Sequence, residues 1–148
     1  MMYGKAYRYV AGRTESWFEP ACCSLDPRER LLGKWGLVDV EDSVIAVREL
    51  GKLGRLDATR ATIRGGSAGG FTTFAALANE PDFFAAGMSM FGVSDLRTLQ
   101  AVLHKFESHY LLKYVGGSPE TDPGLWWRRS PISKADKIKS PLLVREQN

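Results

Sequence analysis

The sequence predicts an α/β fold, a mainly parallel sheet with helices on both faces. Two observations carry that prediction. The first is a short apolar run, Ala61-Thr62-Ile63, then Arg64-Gly65-Gly66-Ser67-Ala68-Gly69-Gly70, then the helical pattern Phe71–Ala78. The second is the alternation of strand-like and helix-like segments along the rest of the chain, which places helices on a parallel sheet.

The elements follow in order. Asp39, Glu41 and Asp42 make an acidic first turn, favourable at a helix N-terminus. Val40, Val44, Val47 and Leu50 recur at helical spacing and form an apolar stripe. Gly51 and Gly54 are expected to end that helix. Residues 57–60 turn into the strand before Ser67. The helix after Ser67 is expected to stop at Asn79-Glu80-Pro81. Residues 86–91 read as the next strand, and 96–103 and 107–114 as helical with a break between them. Gly116-Gly117-Ser118-Pro119 is a loop, 123–129 one short helix, and Leu142-Leu143-Val144 the start of another buried strand. No internal repeat or low-complexity tract is visible.

Gly65, Ser67 and Gly69 form Gly-x-Ser-x-Gly. Between a strand and a helix, this pattern is a nucleophile elbow. The serine sits on a sharp turn at a strained backbone angle, with its hydroxyl exposed. Side chains in place of the flanking glycines would clash across the turn. The helix behind the serine aims N–H groups and its positive end at the reacting centre. The N–H of Ala68 is the natural oxyanion donor. Two phosphate-binding alternatives fail. A P-loop needs Lys and then Ser or Thr after the last glycine, where Phe71 and Thr72 stand. A dinucleotide fingerprint needs glycine at Ser67. A purely structural turn is the remaining alternative.

The blocks around the elbow are specific. Tyr3-Gly4-Lys5-Ala6-Tyr7-Arg8 comes first, then Gly33-Lys34-Trp35-Gly36-Leu37-Val38-Asp39-Val40-Glu41-Asp42. The elbow follows, then Phe91-Gly92-Val93-Ser94-Asp95-Leu96, His104–Tyr110 and Arg129-Ser130-Pro131-Ile132. In this order they resemble the catalytic domain of the prolyl oligopeptidase family of serine peptidases, in its acylaminoacyl-peptidase and dipeptidyl-aminopeptidase branch. The resemblance covers nearly all of residues 1–8 and 29–145. It implies a partial α/β-hydrolase fold, truncated at both ends, with 1–148 as part of a peptidase catalytic domain. Residues 9–28 stand as an atypical insertion, expected to be irregular and dispensable to the sheet, because they show neither periodicity and long structureless loops are uncommon in compact domains.

The resemblance implies acyl transfer from short peptides, with Ser67 as nucleophile. No cofactor and no metal is implied. The triad aspartate and histidine are expected beyond Asn148, since the order on this fold is serine, acid, histidine. The early strands, with the tyrosine that assists the oxyanion hole, and a β-propeller are expected in full-length relatives. The chain alone is therefore expected to be inactive. A non-catalytic truncated product or interaction module is the alternative, and an esterase on the same fold is a third reading. The block from Phe91 to Tyr110 favours peptidase over esterase.

Other residues invite a role and are better explained by structure. His104 and His109 are the two histidines and read as surface or packing residues. Asp95 reads as a turn or helix-cap residue, Glu107 as a structural ion-pair partner or a substrate-side surface residue, and the Trp126-Trp127 pair as core. Phe91, Val93 and Phe106 are candidates to line the pocket for the residue before the scissile bond, with core packing as the equal alternative.

Composition agrees. The 148 residues are 44% hydrophobic and 25% charged, with a net charge of +3 that is unclustered. This permits one core of modest size and gives no argument for nucleic acid or membrane partners. The apolar stretches are too short to span a bilayer. Arg8 and Arg13 interrupt any signal-like apolar core, so a cytoplasmic setting is expected. The adjacent Cys22 and Cys23 do not suit a bridge to each other, and no metal-binding spacing exists.

Overall fold

A computed structural model describes residues 27–103 and 111–146. A parallel three-stranded sheet organises them, in the order β1 (Thr62–Gly66), β2 (Ala86–Met90), β3 (Leu142–Arg145). Before it come α1 (Pro27–Leu31) and α2 (Val38–Lys52). Between β1 and β2 runs α3 (Ala68–Asn79). After β2 come α4 (Leu96–Val102), α5 (the helical residues 111–115), α6 (Pro123–Arg129) and a 3-10 segment at Pro131–Lys137.

Most predicted elements are found with small shifts of boundary; of the helix expected at 107–114, residues 107–110 lie outside the described residues and 111–114 are helical. Val40, Val44 and Val47 are the buried stripe of α2. Gly51 does not end that helix. The chain continues to Lys52, and Gly54, at φ 65°, supplies the left-handed residue that closes it. The Gly54 N–H bonds the Gly51 carbonyl and the Arg55 N–H bonds the Leu50 carbonyl, the paired bonds of a Schellman stop. The helix 123–129 lies where expected, with Asp122 capping the Leu125 N–H. Of residues 9–28, only Pro27 and Arg28 fall within the described chain, in α1; the expectation for the insertion otherwise lies outside it.

Two clusters build the core. One packs Val40, Val44 and Val47 of α2 and Ala75, Ala76 and Leu77 of α3 onto Ile63 of β1, with Phe84. The other gathers Phe71, Leu96, Leu111, Val115 and Trp126, with Trp35 and Val93 at its margin. The tryptophan pair divides: Trp126 is the buried core residue, whereas Trp127 is exposed and carries the Arg97 guanidinium on its face.

The strand register makes the sheet two-sided. Ile63, Gly87 and Leu142 stand level across it, as do Gly65, Ser89 and Val144. Side chains alternate faces along a strand. These positions therefore form one face, and α2 and α3 pack over its β1 and β2 part. The other face carries Thr62, Arg64, Met88 and Leu143. Among the described residues the helices cover the β1 and β2 part of the first face, leaving Val144 of β3 exposed there, and leave Thr62, Arg64 and Leu143 exposed on the second.

The expectation of a buried strand at Leu142–Val144 is corrected here. Leu143 is 60% exposed and Val144 46% exposed. β3 pairs on one side only among the described strands, and α3 leans on β1 and β2 rather than on β3. The apolar run of β3 is real, but the described residues do not cover it.

Candidate active site

Ser67 lies between the last residue of β1 and the first residue of α3. Its backbone sits at φ 52° and ψ −118°. A non-glycine residue there costs on the order of 1–3 kcal/mol, which the surrounding structure must hold in place. The holding contacts are visible. The Ser67 N–H donates to the Met90 carbonyl at 3.0 Å, tying the turn to the end of β2. The Ser67 carbonyl accepts from the Phe71 N–H at 3.1 Å and starts α3.

The glycines are required by space. A Cβ on Gly65 would overlap the backbone of Gly69, so strand and helix approach closest where neither has a side chain. A Cβ on Gly70 would strike Gly92 and the Ser89 hydroxyl. The crossing therefore brings the start of α3 down onto the ends of both β1 and β2. Ser67 and Ala68 are both exposed at the carboxyl end of the sheet, where parallel α/β sheets place their ligands. The N–H groups of the first turn of a helix have no intrahelical acceptor. The Ala68 N–H is such a group and stands beside the serine.

A second strained residue neighbours the first. Phe91 follows β2 at φ 42°. Its N–H donates to the Arg145 carbonyl at 2.6 Å, and its ring lies against Gly66, so close that a Cβ there would touch it. Phe91 is 45% exposed. It thus stands exposed at the end of β2, against Gly66, the residue before Ser67. Val93 is half-buried against the cluster of Phe71 and Leu96, so packing already occupies it. Phe106, His104, His109 and Glu107 lie outside the described residues.

Asp95 behaves as the cap expected of it. Its Oδ1 accepts from the Arg97 N–H at 2.9 Å, and its Oδ2 pairs with the Arg97 guanidinium at 2.7 Å. The Arg97 hydrogen bond, ahead of the opposing effect of burial, holds the Asp95 carboxyl below the usual carboxylate range. Such a carboxylate is a poor proton acceptor.

Asp39 was read from sequence only as part of an acidic helix start, and the structure gives it more. It is 3% exposed. Oδ1 accepts from the Gly36 N–H at 2.6 Å, and Oδ2 from the Thr72 hydroxyl at 2.7 Å. Burial pushes its carboxyl above the ordinary range, against the hydrogen bonds that favour the charge. The sequence signal, an acidic residue inside the apolar run Leu37-Val38-Asp39-Val40, was present, but it does not name the partner 33 residues away.

A shallow cleft at the other end of α3 is lined by Gly36, Ala78, Asn79, Arg129 and Lys134. Its cations have structural tasks. Arg129 donates to the Trp35 and Gly33 backbone carbonyls, and Lys134 donates to the side-chain Oδ1 of Asn79. Among the described residues no group of three metal-ligating side chains converges, and no helix is long and apolar enough to cross a membrane.

Comparison with known proteins places this geometry. The model of the prolyl oligopeptidase family matches residues 27–146. The chain belongs to the prolyl oligopeptidase family. It is 35% identical over 116 residues to a dipeptidyl aminopeptidase BIII from Pseudoxanthomonas mexicana, covering 76% of this chain and 17% of that protein. It is 31% identical over 124 residues to an acylamino-acid-releasing enzyme from Arabidopsis thaliana, covering 80% of this chain and 16% of the relative. Among solved structures, a puromycin-hydrolyzing peptidase from Mycobacterium tuberculosis superposes with a TM-score of 0.73 at 44% identity, over 79% of this chain and 18% of that one. An acylaminoacyl peptidase from Pyrococcus horikoshii gives 0.68 at 29% identity, over 79% and 19%. The parallel sheet with its helices is thus part of an α/β-hydrolase domain, and the chain spans about a sixth of the length of the curated relatives it matches.

Proposed function

We propose that this chain is the nucleophile-bearing part of a serine peptidase that cleaves short peptides through an acyl-enzyme. The observation that carries the reading is Ser67, exposed at φ 52° between a strand end and a helix start, in a chain of this family. Ser67 Oγ attacks the carbonyl carbon while a base takes its proton. The carbonyl oxygen gains negative charge, and the Ala68 N–H, with the positive end of α3 behind it, stabilises that charge. Collapse of the tetrahedral intermediate expels the amine, which receives a proton, and leaves an ester on Ser67. Water then releases the acid.

The base and its orienting acid are not assembled among the described residues. Asp95 is committed to Arg97 and the α4 cap, and Asp39 is buried against Gly36 and Thr72. In this reading a histidine and an aspartate come from sequence beyond Asn148 in a longer protein, and a propeller accompanies them there. Phe91, exposed beside Gly66, is the described residue best placed to line the subsite before the scissile bond. The 148-residue chain alone, with the nucleophile but no base, is inactive in this reading.

Fluorophosphonate labelling tests the reading beside a Ser67→Ala control. The 148-residue chain is expected to label no faster than the control, because the hydroxyl lacks a base. A longer polypeptide that adds the acid and histidine segments is expected to label at Ser67 and to hydrolyse dipeptidyl or acylaminoacyl amides. Puromycin is a sensible first substrate, given the 44% identity to the puromycin-hydrolyzing peptidase. Rapid Ser67-dependent labelling of the short chain would refute the dependence on added segments. Labelling of the longer protein that survives Ser67→Ala would remove Ser67 as the nucleophile.

A further inference from the structure

We propose that Asp39 is a positioning residue for the elbow, acting through the hydroxyl of Thr72. The inference rests on the reading of Ser67 as nucleophile and extends it to the device that fixes the first turn of α3. Three observations carry it.

First, the contact joins two helices that the sequence separates. Asp39 lies in the first turn of α2, and Thr72 one turn into α3 from Ser67. Their 2.7 Å bond is buried. Second, Thr72 Oγ1 also lies 3.3 Å from the Ala68 carbonyl. A hydroxyl has one hydrogen to give. With Asp39 ionised, the short contact to Oδ2 takes that hydrogen and α3 is anchored sideways to α2. Third, the other carboxylate oxygen grips the turn under the same helix. Oδ1 holds the Gly36 N–H at 2.6 Å, where the backbone stands at φ 83°. A Cβ on Gly36 would press the Phe71 ring, and Trp35 packs on that ring, tilted by 39°, at 4.4 Å between centroids. Arg129 of α6 binds the carbonyls of Gly33 and Trp35 in the same turn. The turn 33–36, α2, and residues 71–72 of α3 therefore form one seat, and Asp39 is the side chain that touches both the turn and α3.

This seat fixes the direction in which α3 leaves Ser67, hence where the Ala68 N–H points. The apolar side of the seat is Phe71 on Trp35. The polar side is Asp39 on Thr72, and a hydrogen bond adds the direction that apolar packing lacks.

The substitutions separate positioning from bulk stability. Thr72→Val keeps the shape and removes the hydroxyl. Thr72→Ser keeps the hydroxyl. Asp39→Asn preserves both contacts by a rearrangement: its oxygen accepts from Gly36, its NH2 donates to Thr72 Oγ1, and the Thr72 hydrogen turns to the Ala68 carbonyl. Asp39→Ala removes both contacts.

Hydrogen exchange of the 148-residue chain, read by mass spectrometry on peptides spanning 71–77 and 86–90, tests the proposal without requiring activity. Thr72→Val is expected to speed exchange at 71–77 by about tenfold, the scale of one buried hydrogen bond to a charged acceptor, and to change 86–90 by less than twofold. Thr72→Ser and Asp39→Asn are expected to stay within about threefold of the parent in both peptides. Equal acceleration in both peptides, or none in either, would overturn the positioning role, and so would failure of Thr72→Ser to restore protection. If Asp39→Ala does not fold, the threonine pair decides alone. None of these outcomes bears on whether Ser67 is the nucleophile, which labelling decides separately.

Discussion

The two faces of the sheet are built from the same three strands and solve opposite problems. On the covered face β1 contributes Ile63 and Gly65, and β2 contributes Gly87 and Ser89, all buried. Small residues alternate with one large one because α3 descends directly onto them. A Cβ on Gly87 would run into Leu77, and a Cβ on Gly70 would meet the Ser89 hydroxyl. On the open face the same strands carry Thr62, Arg64 and Met88, and β3 adds Leu143, with Thr62, Arg64 and Leu143 exposed. One face is specified by what must be absent for the elbow to approach. The other is apolar in places with no described element to bury it. Sequence composition sees both as strand. Only the approach of α3 separates them.

The largest expected effect tests the covered face. Leu77 is fully buried between α3 and the sheet. Leu77→Ala should cost about 2–5 kcal/mol, the range for deleting a core leucine side chain. Leu143→Ala, on the open face, should fall within about 0.5 kcal/mol, as for surface changes that break no contact. Urea unfolding of both variants, read as midpoint shifts at constant slope, makes the comparison. Comparable losses would mean that the open face is covered in solution.

Next in size is the space rule. Gly87→Ala places a methyl against Leu77 and Thr73, and overpacking of that kind costs typically about 1–3 kcal/mol. The expected result is a lower thermal midpoint for each single variant and a double variant that loses less than the sum of the two, because Leu77→Ala vacates the space the new methyl needs. A double variant whose losses simply add would show that the two residues do not compete for the same volume.

The open face predicts association rather than unfolding. Exposed apolar strand edges are templates for pairing with another chain. Leu143 at 60% and Val144 at 46% exposure sit on the edge strand of the described sheet. The 148-residue chain should therefore sediment as a mixture that shifts toward larger species with concentration. Leu143→Lys should move it toward monomer with little change in unfolding midpoint. A parent chain that is monomeric at every concentration would show that the face is protected.

Much of this was legible in the sequence, for reasons that can be named. Ser67 was, because glycine spacing, the preceding apolar run and the following helical pattern all describe one local turn. The helix stop at Asn79-Glu80-Pro81 and the cap at Asp95 were also local, and local chemistry is what residue order records. Three things were not legible. The exposure of β3 depends on what lies beside it, and Leu142-Leu143-Val144 reads alike in a core or at an edge. The left-handed backbone of Phe91 has no sequence mark, since aromatic residues seldom adopt it. The bond from Asp39 to Thr72 spans 33 positions. Acidic residues near a helix start usually face solvent, so Asp39, Glu41 and Asp42 looked alike. Burial alone singles out the first.

The smallest expected effect is a slope with pH, and it distinguishes two carboxylates of opposite environment. Asp39 sits among buried groups, with Asp42 and Arg129 as the charges that influence it. Burial raises its folded-state pKa above the unfolded value of about 3.9. A raised pKa means that the folded state binds the proton more tightly. Its stabilising contribution is therefore complete below the unfolded pKa and is lost as pH rises through the folded one. Asp95 runs the other way. The Arg97 hydrogen bond lowers its folded pKa, so its contribution is present above the unfolded pKa and disappears as pH falls through the folded value. Asp39→Asn should consequently gain on the parent as pH rises out of the acid range, while Asp95→Asn should lose on it. Urea midpoints of the two variants and the parent across pH 3–7 read both signs in one experiment. The Asp39 curve also bears on how α3 is held. If the Asn variant tracks the parent at the acid end and exceeds it at neutrality, the carboxylate is kept at an energetic cost, and the bond to Thr72 offsets only part of it. If Asp39→Asn instead falls below the parent at neutral pH, ionised Asp39 stabilises the fold on balance, and the hydrogen bonds from Gly36 and Thr72 outweigh burial.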